Sequence, residues 1–371
     1  MNNMDLRVKD VLTEDFWIMP ATPKYTESGV PYITSKNIKN GIIDFTKINY
    51  ISKESYDSIS KNRPILVGDI LISMIGTLGE TAEVKESNGL FYGQNMFLVR
   101  IDEKKVDKRY FLNFFKSNYV KRMLEGKQNQ STQKYLKANH IEDLIIPVPS
   151  LDKQKLISSQ LDKLSNIISL RSKELEYLDE LVKARFVEMF DEYSKIELYK
   201  IADITMGQSP SSSSYNKDGN GLPFFQGKGD YGNKYTSVSN WTTEPNKIVE
   251  KGTVLMSVRA PVGPVNIANV KCCLGRGLCG INAVEGKTNN EFLYNALKVM
   301  EEDISSKGTG STFKAITKKD VYELLVPNVP LELQNDYSLF SQQVDKSREI
   351  IQKKIDTYQE LFDKLMQEYF G

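Results

Sequence analysis

The chain has 371 residues, and its 49 basic and 48 acidic side chains leave a formal net charge of only +1. This length exceeds one ordinary hydrophobic core and favours two domains with connecting segments. The mean hydropathy of −0.40, the lack of an apolar run of ~20 residues and the polar N-terminus predict a cytoplasmic protein without a membrane partner.

Residues 1–149 are predicted to form the first of two α+β domains. Short runs of β-forming residues, such as "PYITSKNI" and "DILISMIG", are separated by turns of Gly, Pro, Asn and Ser. This mixture favours a twisted, partly closed β-sheet with helices and long polar loops. A helical stretch is predicted at about 107–124. Its aromatic residues follow the helical period and are expected to be buried: Tyr110, Phe111, Phe114, Phe115 and Tyr119.

Basic residues surround this helix and continue into the segment "EGKQNQSTQKYLK" (125–137). Asn and Gln can form bidentate contacts with adenine, and Lys can contact guanine or phosphate, so the segment suits DNA binding. A solvated surface with no ligand is the alternative interpretation. The predicted DNA contacts of the first domain are Lys36, Asn37, Lys127, Gln128, Asn129, Gln130, Thr132, Gln133 and Lys134.

A long helix is predicted over residues 150–192. Its apolar residues recur at three- and four-residue spacing, at Leu161, Leu164, Ile168, Leu175, Leu178, Val182 and Met189. Such a narrow stripe over about five heptads indicates a coiled-coil seam. We expect this seam to pack against a second long helix, although a helix that caps its own domain would show a similar stripe.

The second half of the chain repeats this organisation, with an α+β domain at 193–329 and a long helix at 330–371. The stripe of the second helix comprises Val344, Ile351, Ile355, Phe362, Leu365 and Tyr369. Polar loops of the second domain differ in content from those of the first. The predicted DNA contacts here are Gln226, Lys228, Lys234, Arg259, Arg276, Lys307, Thr312 and Lys314.

An internal repeat explains this symmetry. The stretch "STQKYLKANHIEDLIIPVPSLDKQ" (131–154) aligns without a gap on "STFKAITKKDVYELLVPNVPLELQ" (311–334), 180 residues later. Charge repeats as well, because residues 1–150 and 193–330 each carry a net charge of +3, whereas 151–192 and 331–371 carry −2 and −3. The chain therefore consists of two unequal copies of one unit.

Residues for covalent chemistry are scarce. Cys272, Cys273 and Cys279 are too few and too crowded for a disulfide framework, and they are interpreted as packing thiols. His140 is the only histidine. A zinc site built from several histidines is therefore excluded, and His140 has no suitably placed partners in the sequence for a catalytic triad. The pattern "GKGDYG" (227–232) lacks the βαβ context of a dinucleotide-binding loop. We predict a chain that is not an enzyme and binds no metal or cofactor.

The ordered and duplicated motifs resemble the specificity subunit of Type I restriction-modification systems. They are "GDILISMIGTLG" with "GTVLMSVRAPVG", "STQKYL" with "STFKAI", "GQSPS" (207–211), and two late helices that begin with a proline, Pro149 or Pro330, followed shortly by a glutamine, Gln154 or Gln334. The resemblance covers essentially the whole chain. It implies two target-recognition domains in a pseudo-two-fold arrangement, joined by two long antiparallel coiled-coil helices.

The resemblance also implies function and partners. Such a subunit holds a bipartite site on double-stranded DNA and docks two methyltransferase subunits, which bind S-adenosylmethionine and methylate adenines. Restriction subunits that use ATP and magnesium join some of these assemblies. Two alternatives stay open at this point: a subunit of a Type IIB-like fused system, and a coiled-coil scaffold for proteins with no role on DNA.

Overall fold

The computed structural model describes residues 4–19, 23–39, 41–126, 135–308 and 315–371. The chain forms two compact units: unit 1 contains Met1–Arg171 with Lys354–Gly371, and unit 2 contains Ser172–Lys353. Each unit combines one α+β domain with parts of two long helices. Within the described ranges, no helix is both long and apolar enough to span a membrane. The division of the chain into segments 1–149, 150–192, 193–329 and 330–371 stays a prediction.

The α+β domain of unit 1 consists of short strands interrupted by helices. Its strands are β1 (Met4–Arg7), β2 (Trp17–Ile18), β3 (Tyr25–Thr26), β4 (Val30–Thr34), β5 (Ile38–Lys39), β6 (Ile42–Ile43), β7 (Asn49–Ile51), β8 (Ile70–Ser73), β9 (Thr81–Glu83), β10 (Tyr92–Gln94), β11 (Met96–Val99) and β12 (Ile145–Val148). Its helices are α1 (Lys53–Ser60), α2 (Lys108–Phe115), α3 (Asn118–Gly126) and α4 (Ala138–Glu142).

Two sheets form the body of this domain, with strand orders β10-β4-β7-β3 and β2-β11-β8-β9, while β1 pairs with β12 and β5 with β6. Strand β8 is buried on both faces. Ile70 and Ile72 pack in the cluster that contains the aromatic residues of α2, whereas Leu71 packs in a second cluster with β4 and β10. Because side chains of a strand alternate between faces, the apolar run "ILIS" joins the two layers.

The predicted helix at 107–124 is two helices, α2 and α3, separated near Ser117. The aromatic residues Tyr110, Phe111, Phe114 and Phe115 are buried, as predicted from their spacing, and Tyr119 is partly buried.

The α+β domain of unit 2 repeats this plan. Its strands are β13 (Lys195–Glu197), β14 (Ala202–Met206), β15 (Tyr215–Asn216), β16 (Leu222–Phe225), β17 (Trp241–Thr242), β18 (Ile248–Val249), β19 (Val254–Ser257), β20 (Val265–Ile267), β21 (Cys272–Leu274), β22 (Leu278–Ala283) and β23 (Leu325–Pro327). Long helix α5 (Leu151–Phe190) precedes it, α6 (Asn290–Val299), α7 (Glu301–Ser306) and α8 (Lys318–Tyr322) lie within it, and long helix α9 (Leu331–Phe370) follows.

The strand orders of unit 2 match those of unit 1. The sheet β14-β22-β19-β20 corresponds to β2-β11-β8-β9, and β15-β17-β16-β21 corresponds to β3-β7-β4-β10, with β18 added at the edge. The parallel pairs β16/β21 and β4/β10 also correspond. The sequence repeat is therefore a repeat of topology. The three cysteines lie buried in β21 and β22, as expected for packing thiols, and burial raises the pKa of Cys272 and of Cys279 to about 12.

Helices α5 and α9 each span 40 residues, or ~60 Å at 1.5 Å per residue. In unit 1, Leu161 near the beginning of α5 shares a core with Phe370 at the end of α9. In unit 2, Phe186 near the end of α5 shares a core with Tyr337 near the beginning of α9. Within each unit the helices therefore run antiparallel, as predicted.

A buried glutamine fixes the first turn of each long helix. The Gln154 amide donates hydrogen bonds to the carbonyl oxygens of Pro149 (2.7 Å) and Lys105 (3.0 Å), and its carbonyl accepts one from the Asp107 amide (2.8 Å). In unit 2 the Gln334 amide likewise donates to the carbonyl oxygens of Val329 (2.8 Å) and Lys287 (3.2 Å), and its carbonyl accepts a hydrogen bond from the Thr288 hydroxyl (2.7 Å). These bonds explain the glutamine that both copies place after a proline at the start of the long helix, because they tie α5 and α9 to the loops that begin α2 and α6.

Candidate nucleic-acid interface

Each unit has the same tight turn after a buried central strand. In unit 1 the backbone amide of Gly79 donates to the Ser73 carbonyl (3.1 Å), and in unit 2 that of Gly263 donates to the Ser257 carbonyl (3.0 Å). The Ser73 hydroxyl donates to the carbonyl of Thr77. These turns are the "SMIGTLG" and "SVRAPVG" motifs of the sequence.

The turns lie beside the ends of the predicted DNA-binding loops. Tyr135 pairs with Ile75, and Ala315 pairs with Arg259, in isolated antiparallel bridges. Tyr135 and Ala315 are the first described residues after those loops. The predicted contacts Lys127, Gln128, Asn129, Gln130, Thr132, Gln133, Lys134, Thr312 and Lys314 lie outside the described residues and stay predictions.

In unit 2, four predicted residues meet in one cleft of about 230 Å³, here called cleft B: Gln226, Lys228, Arg259 and Arg276. Gln226 directly follows β16, and Lys228 begins a short 3-10 helix. The Asp230 carboxylate shapes this corner by accepting hydrogen bonds from the amides of Gln226 (2.6 Å) and Gly227 (3.2 Å).

The other wall of cleft B carries two arginines. Arg259 lies in the turn after β19, and Arg276 lies between β21 and β22, where its amide donates to the Ser209 hydroxyl (3.2 Å). Both side chains and that of Lys228 are exposed, and none has an ion-pair partner within the described part of the chain. Arginine forks match the two acceptors of guanine and also bind phosphate, so cleft B is chemically suited to DNA.

Unit 1 has the corresponding cleft, here called cleft A, with a volume of about 760 Å³. It lies after β4, as cleft B lies after β16, and it is bounded by the turn after β8. Lys36 and Lys47 line it, and so does Asn95 from the link between β10 and β11, as Arg276 from the link between β21 and β22 lines cleft B. Hydrogen bonds from Thr46 and the nearby Lys39 ammonium lower the pKa of Asp44, which also lines the cleft.

Two of the predicted contacts, Asn37 and Lys234, have structural roles. The amide of Asn37 is buried, where it donates to the carbonyls of Asp44 (2.8 Å) and Lys47 (3.0 Å) and accepts from the Thr34 amide (2.9 Å). Its hydrogen-bonding groups are thus engaged in shaping the loop. Asn37 therefore supports cleft A, and its contact with DNA stays a prediction.

Lys234 is the second predicted contact that has a structural role, and its contact with DNA stays a prediction. Its side chain is only 10% exposed, and its ammonium bonds the carboxylates of Glu291 (2.7 Å) and Asp345. The charge that suggested a phosphate contact is neutralised inside unit 2. Lys307, by contrast, is exposed at the end of α7, outside the lining of cleft B.

Several cleft residues were not predicted: Lys39, Lys47 and Asn95 in unit 1, and Ser209 in unit 2. Ser209 lies within the "GQSPS" motif, which carried a signal in the sequence. Asn95 has a φ of 60°, a conformation that asparagine adopts more readily than most residues. Lys39 and Lys47 had no signal beyond their charge.

Comparison with known proteins gives the same family for both halves. Residues 6–180 and 191–358 match the family model described as "Type I restriction modification DNA specificity domain". A protein of Methanocaldococcus jannaschii named putative type I restriction enzyme MjaX specificity subunit is 33% identical over 97% of this chain and 90% of its own length. The StySPI specificity subunit of Salmonella potsdam is 25% identical over 42% of this chain and 33% of its own length.

Solved structures show the same fold. A chain from a study of complex assembly and conformational transition of the type I R-M system has a TM-score of 0.65 at 24% identity, over 100% of this chain and 97% of that one. The S subunit of a type I restriction-modification system from M. genitalium has a TM-score of 0.58 at 17% identity, over 100% of this chain and 96% of that one.

Proposed function

The chain belongs to the Type I restriction-modification DNA specificity family, and we propose that clefts A and B recognise the two halves of a bipartite site on double-stranded DNA. It is a specificity subunit with two target-recognition domains, and this family is non-catalytic.

One observation carries the proposal: equivalent positions of one repeated fold hold different polar side chains. Thr34, the last residue of β4, lines cleft A where Gln226, the first residue after β16, lines cleft B, whereas lysine is common to both clefts at Lys36 and Lys228. Arg259 in cleft B replaces Ile75 in cleft A. Because base edges are distinguished by their donors and acceptors, two clefts with different linings would select two different half-sites.

We assign the chemistry to partners. Two methyltransferase subunits would bring S-adenosylmethionine, and restriction subunits, where present, would bring ATP and magnesium. Their docking surface is proposed on the long helices, where exposed apolar residues recur at equivalent positions of the repeat. Unit 1 exposes Leu170 and Leu361, and unit 2 exposes Ile350 and Leu181.

Single-molecule sequencing of the native genome, with and without this gene, tests the proposal. We expect the deletion to remove adenine methylation from one bipartite motif and to leave other motifs unchanged. Persistence of every methylated motif, with the methyltransferase expressed, would contradict it. A Type IIB-like system predicts the same loss but a partner gene that fuses restriction and methylation.

Salt titration separates the remaining alternative. Binding of the assembled complex to DNA that carries the motif should weaken by about 10³-fold or more between 50 and 200 mM salt, because phosphate contacts release counterions. A protein scaffold without a role on DNA would show no such dependence.

A further inference from the structure

A third cleft, here called cleft C, lies beside cleft A in unit 1 and has a volume of about 620 Å³. Its walls come from the turn after β8, the end of α2, helix α3 and Ser165 of α5. A Cβ at Gly79 (φ +76°) would lie 2.6 Å from Leu124 Cδ1, so glycine lets this turn pack closely on α3. Gly76 lines both clefts. A ligand that extends past Gly76 from cleft A therefore enters cleft C.

Cations at cleft C lack acidic partners. Lys116 and Lys121 line the cleft and Arg122 is adjacent in α3; all three are exposed, and none has an ion pair with any described residue. By contrast, Lys108 and Arg109 at the beginning of α2 pair with Glu103 (3.0 Å) and Asp162 (3.8 Å). The unpaired cations are thus concentrated at the end of α2 that faces the turn.

Cleft C also contains two carboxylates, Glu80 and Glu125. Three cations against two anions leave a local balance of +1. At the corresponding positions of α7 in unit 2, the sequence "KRM" (121–123) is replaced by "EED" (301–303). Pro264 and Ser305 stand where unit 1 has Glu80 and Glu125, and Lys298 stands at the same distance from the N-cap of α6 as Lys116 does from that of α2, so the balance there is −2.

The charge reversal occurs on the same scaffold. Leu124 and Ile304 are equivalent and both buried. A Cβ at Gly263, the equivalent of Gly79, would lie 2.7 Å from the Glu301 carbonyl oxygen, so the turn contacts the helix in both units. The fold therefore keeps this surface while its electrostatic sign changes.

We propose that cleft C binds the DNA backbone flanking the half-site of unit 1, and that unit 2 makes no equivalent contact. This inference rests on the proposed function of cleft A, because one polyanion continuous across Gly76 would occupy both clefts. Lys116 and Lys121 would each neutralise a phosphate, and Arg122 would add to the local field. An acidic surface on α7 would instead repel a backbone at that position, so the two half-sites would be held unequally.

The test uses the assembled complex and the double variant Lys116→Glu/Lys121→Glu. Each phosphate contact contributes ~0.9 to the slope of log K against log salt. We expect the slope to fall by roughly 2 and the affinity for the DNA motif at 50 mM salt to fall by at least about tenfold. Hydroxyl-radical footprinting should lose backbone protection beside one half-site only.

The matched control is Lys61→Glu/Lys104→Glu, which changes the net charge of unit 1 equally. Both lysines are exposed, and neither lines cleft A or cleft C. An equal loss of slope in both double variants would overturn the inference, since it would indicate only a general field. An unchanged slope in the cleft C variant would also overturn it, while a steep slope for the unmodified complex would leave the proposed function intact.

One further outcome is diagnostic. If the cleft C variant failed to assemble with its partner subunits, as judged by size-exclusion chromatography, cleft C would be a site for an acidic protein surface and the DNA assignment would be overturned. If the unmodified complex itself showed no salt-dependent binding, the proposed function would fail first.

Discussion

Lys234 is a largely buried lysine whose charge is balanced by two carboxylates. Lys234 comes from a loop of unit 2, and its ammonium meets Glu291 of α6 and Asp345 of α9. Burial disfavours the charged ammonium, but the two carboxylates outweigh burial and raise the pKa of Lys234. Asp345 also pairs with Arg348 (3.1 Å). The network therefore connects the α+β domain of unit 2 to α9.

Replacing Lys234 with methionine should destabilise unit 2 by about 3 kcal/mol, because the partly buried carboxylates of Glu291 and Asp345 would lose the ammonium that lies between them. Since the pKa of Lys234 is raised, its contribution should be complete below pH ~10 and decline only as the pH rises through the higher folded value. Chemical denaturation at pH 7 measures the effect. Lys271→Met is the control, because its ion pair with Glu250 is exposed and should contribute below about 1 kcal/mol. Equal losses in both variants would contradict the assignment.

The exposure of the arginines in cleft B could be predicted from the sequence, whereas the partners of the buried side chains of Lys234 and Asn37 could not. Arg259 and Arg276 lie in turns after strands, where a long cation has little apolar surface to cover and stays exposed. Lys234 and Asn37 also lie in loops, but their partners come from tertiary contacts: Asp345 is 111 residues from Lys234. Residue type gives the charge of a side chain, whereas its partner depends on the fold.

At the level of elements, the best-defined features are the two long helices and the glutamines that begin them. Gln154 is inaccessible to solvent and Gln334 nearly so. Each uses both ends of its amide on groups from two other segments, which leaves no polar atom of the side chain unsatisfied. Ser158 and Ser338, one turn later, extend these contacts to the N-cap residues of α2 and α6. The helix start and the N-cap loop are therefore stabilised together.

The substitutions Gln154→Met and Gln334→Met should each lower the free energy of unfolding by about 2 kcal/mol. Methionine has a similar size but leaves buried carbonyl and amide or hydroxyl groups without partners. Urea denaturation of the two variants should give similar losses, because the networks are equivalent. Gln160→Met is the control: its contact with the Tyr369 hydroxyl (3.2 Å) is exposed, and the expected change is within about 0.5 kcal/mol. A neutral result for either buried glutamine would refute this role.

The elements themselves were largely predictable, because burial imposes a period on the sequence. The stripes of α5 and α9 predicted that the two helices pack together, the resemblance to the family implied that they run antiparallel, and the aromatic spacing predicted the buried face of α2. The break near Ser117 was missed, since the apolar period continues from α2 into α3. The pairing of β4 with β10 in parallel also had no local signal, because a parallel pair joins strands that are distant in sequence.

For the molecule as a whole, the repeat separates what must be constant from what can vary. Strand order, the turn after the central strand and the glutamine network are the same in both units, so the scaffold is constrained in both copies. The linings of clefts A and B differ, and the charges beside them are reversed between α3 and α7. A duplicated fold with independent surfaces would allow one half-site to change while the other is retained.

This independence leads to a prediction about methylation in cells. The variant Arg259→Ala/Arg276→Ala should relax or abolish base preference in one half of the bipartite motif, because each arginine that contacts a base edge discriminates by ~1–3 kcal/mol. The other half-site and the gap between the halves should not change, since cleft A and the helices are untouched. Single-molecule sequencing of DNA from cells that express the variant in place of the natural gene measures both half-sites and the gap together.

Lys251→Ala is the control, because Lys251 precedes β19 at the end of the strand opposite Arg259 and should leave the whole motif unchanged. Simultaneous relaxation of both half-sites would contradict independent clefts, and an unchanged motif would remove cleft B from the recognition surface.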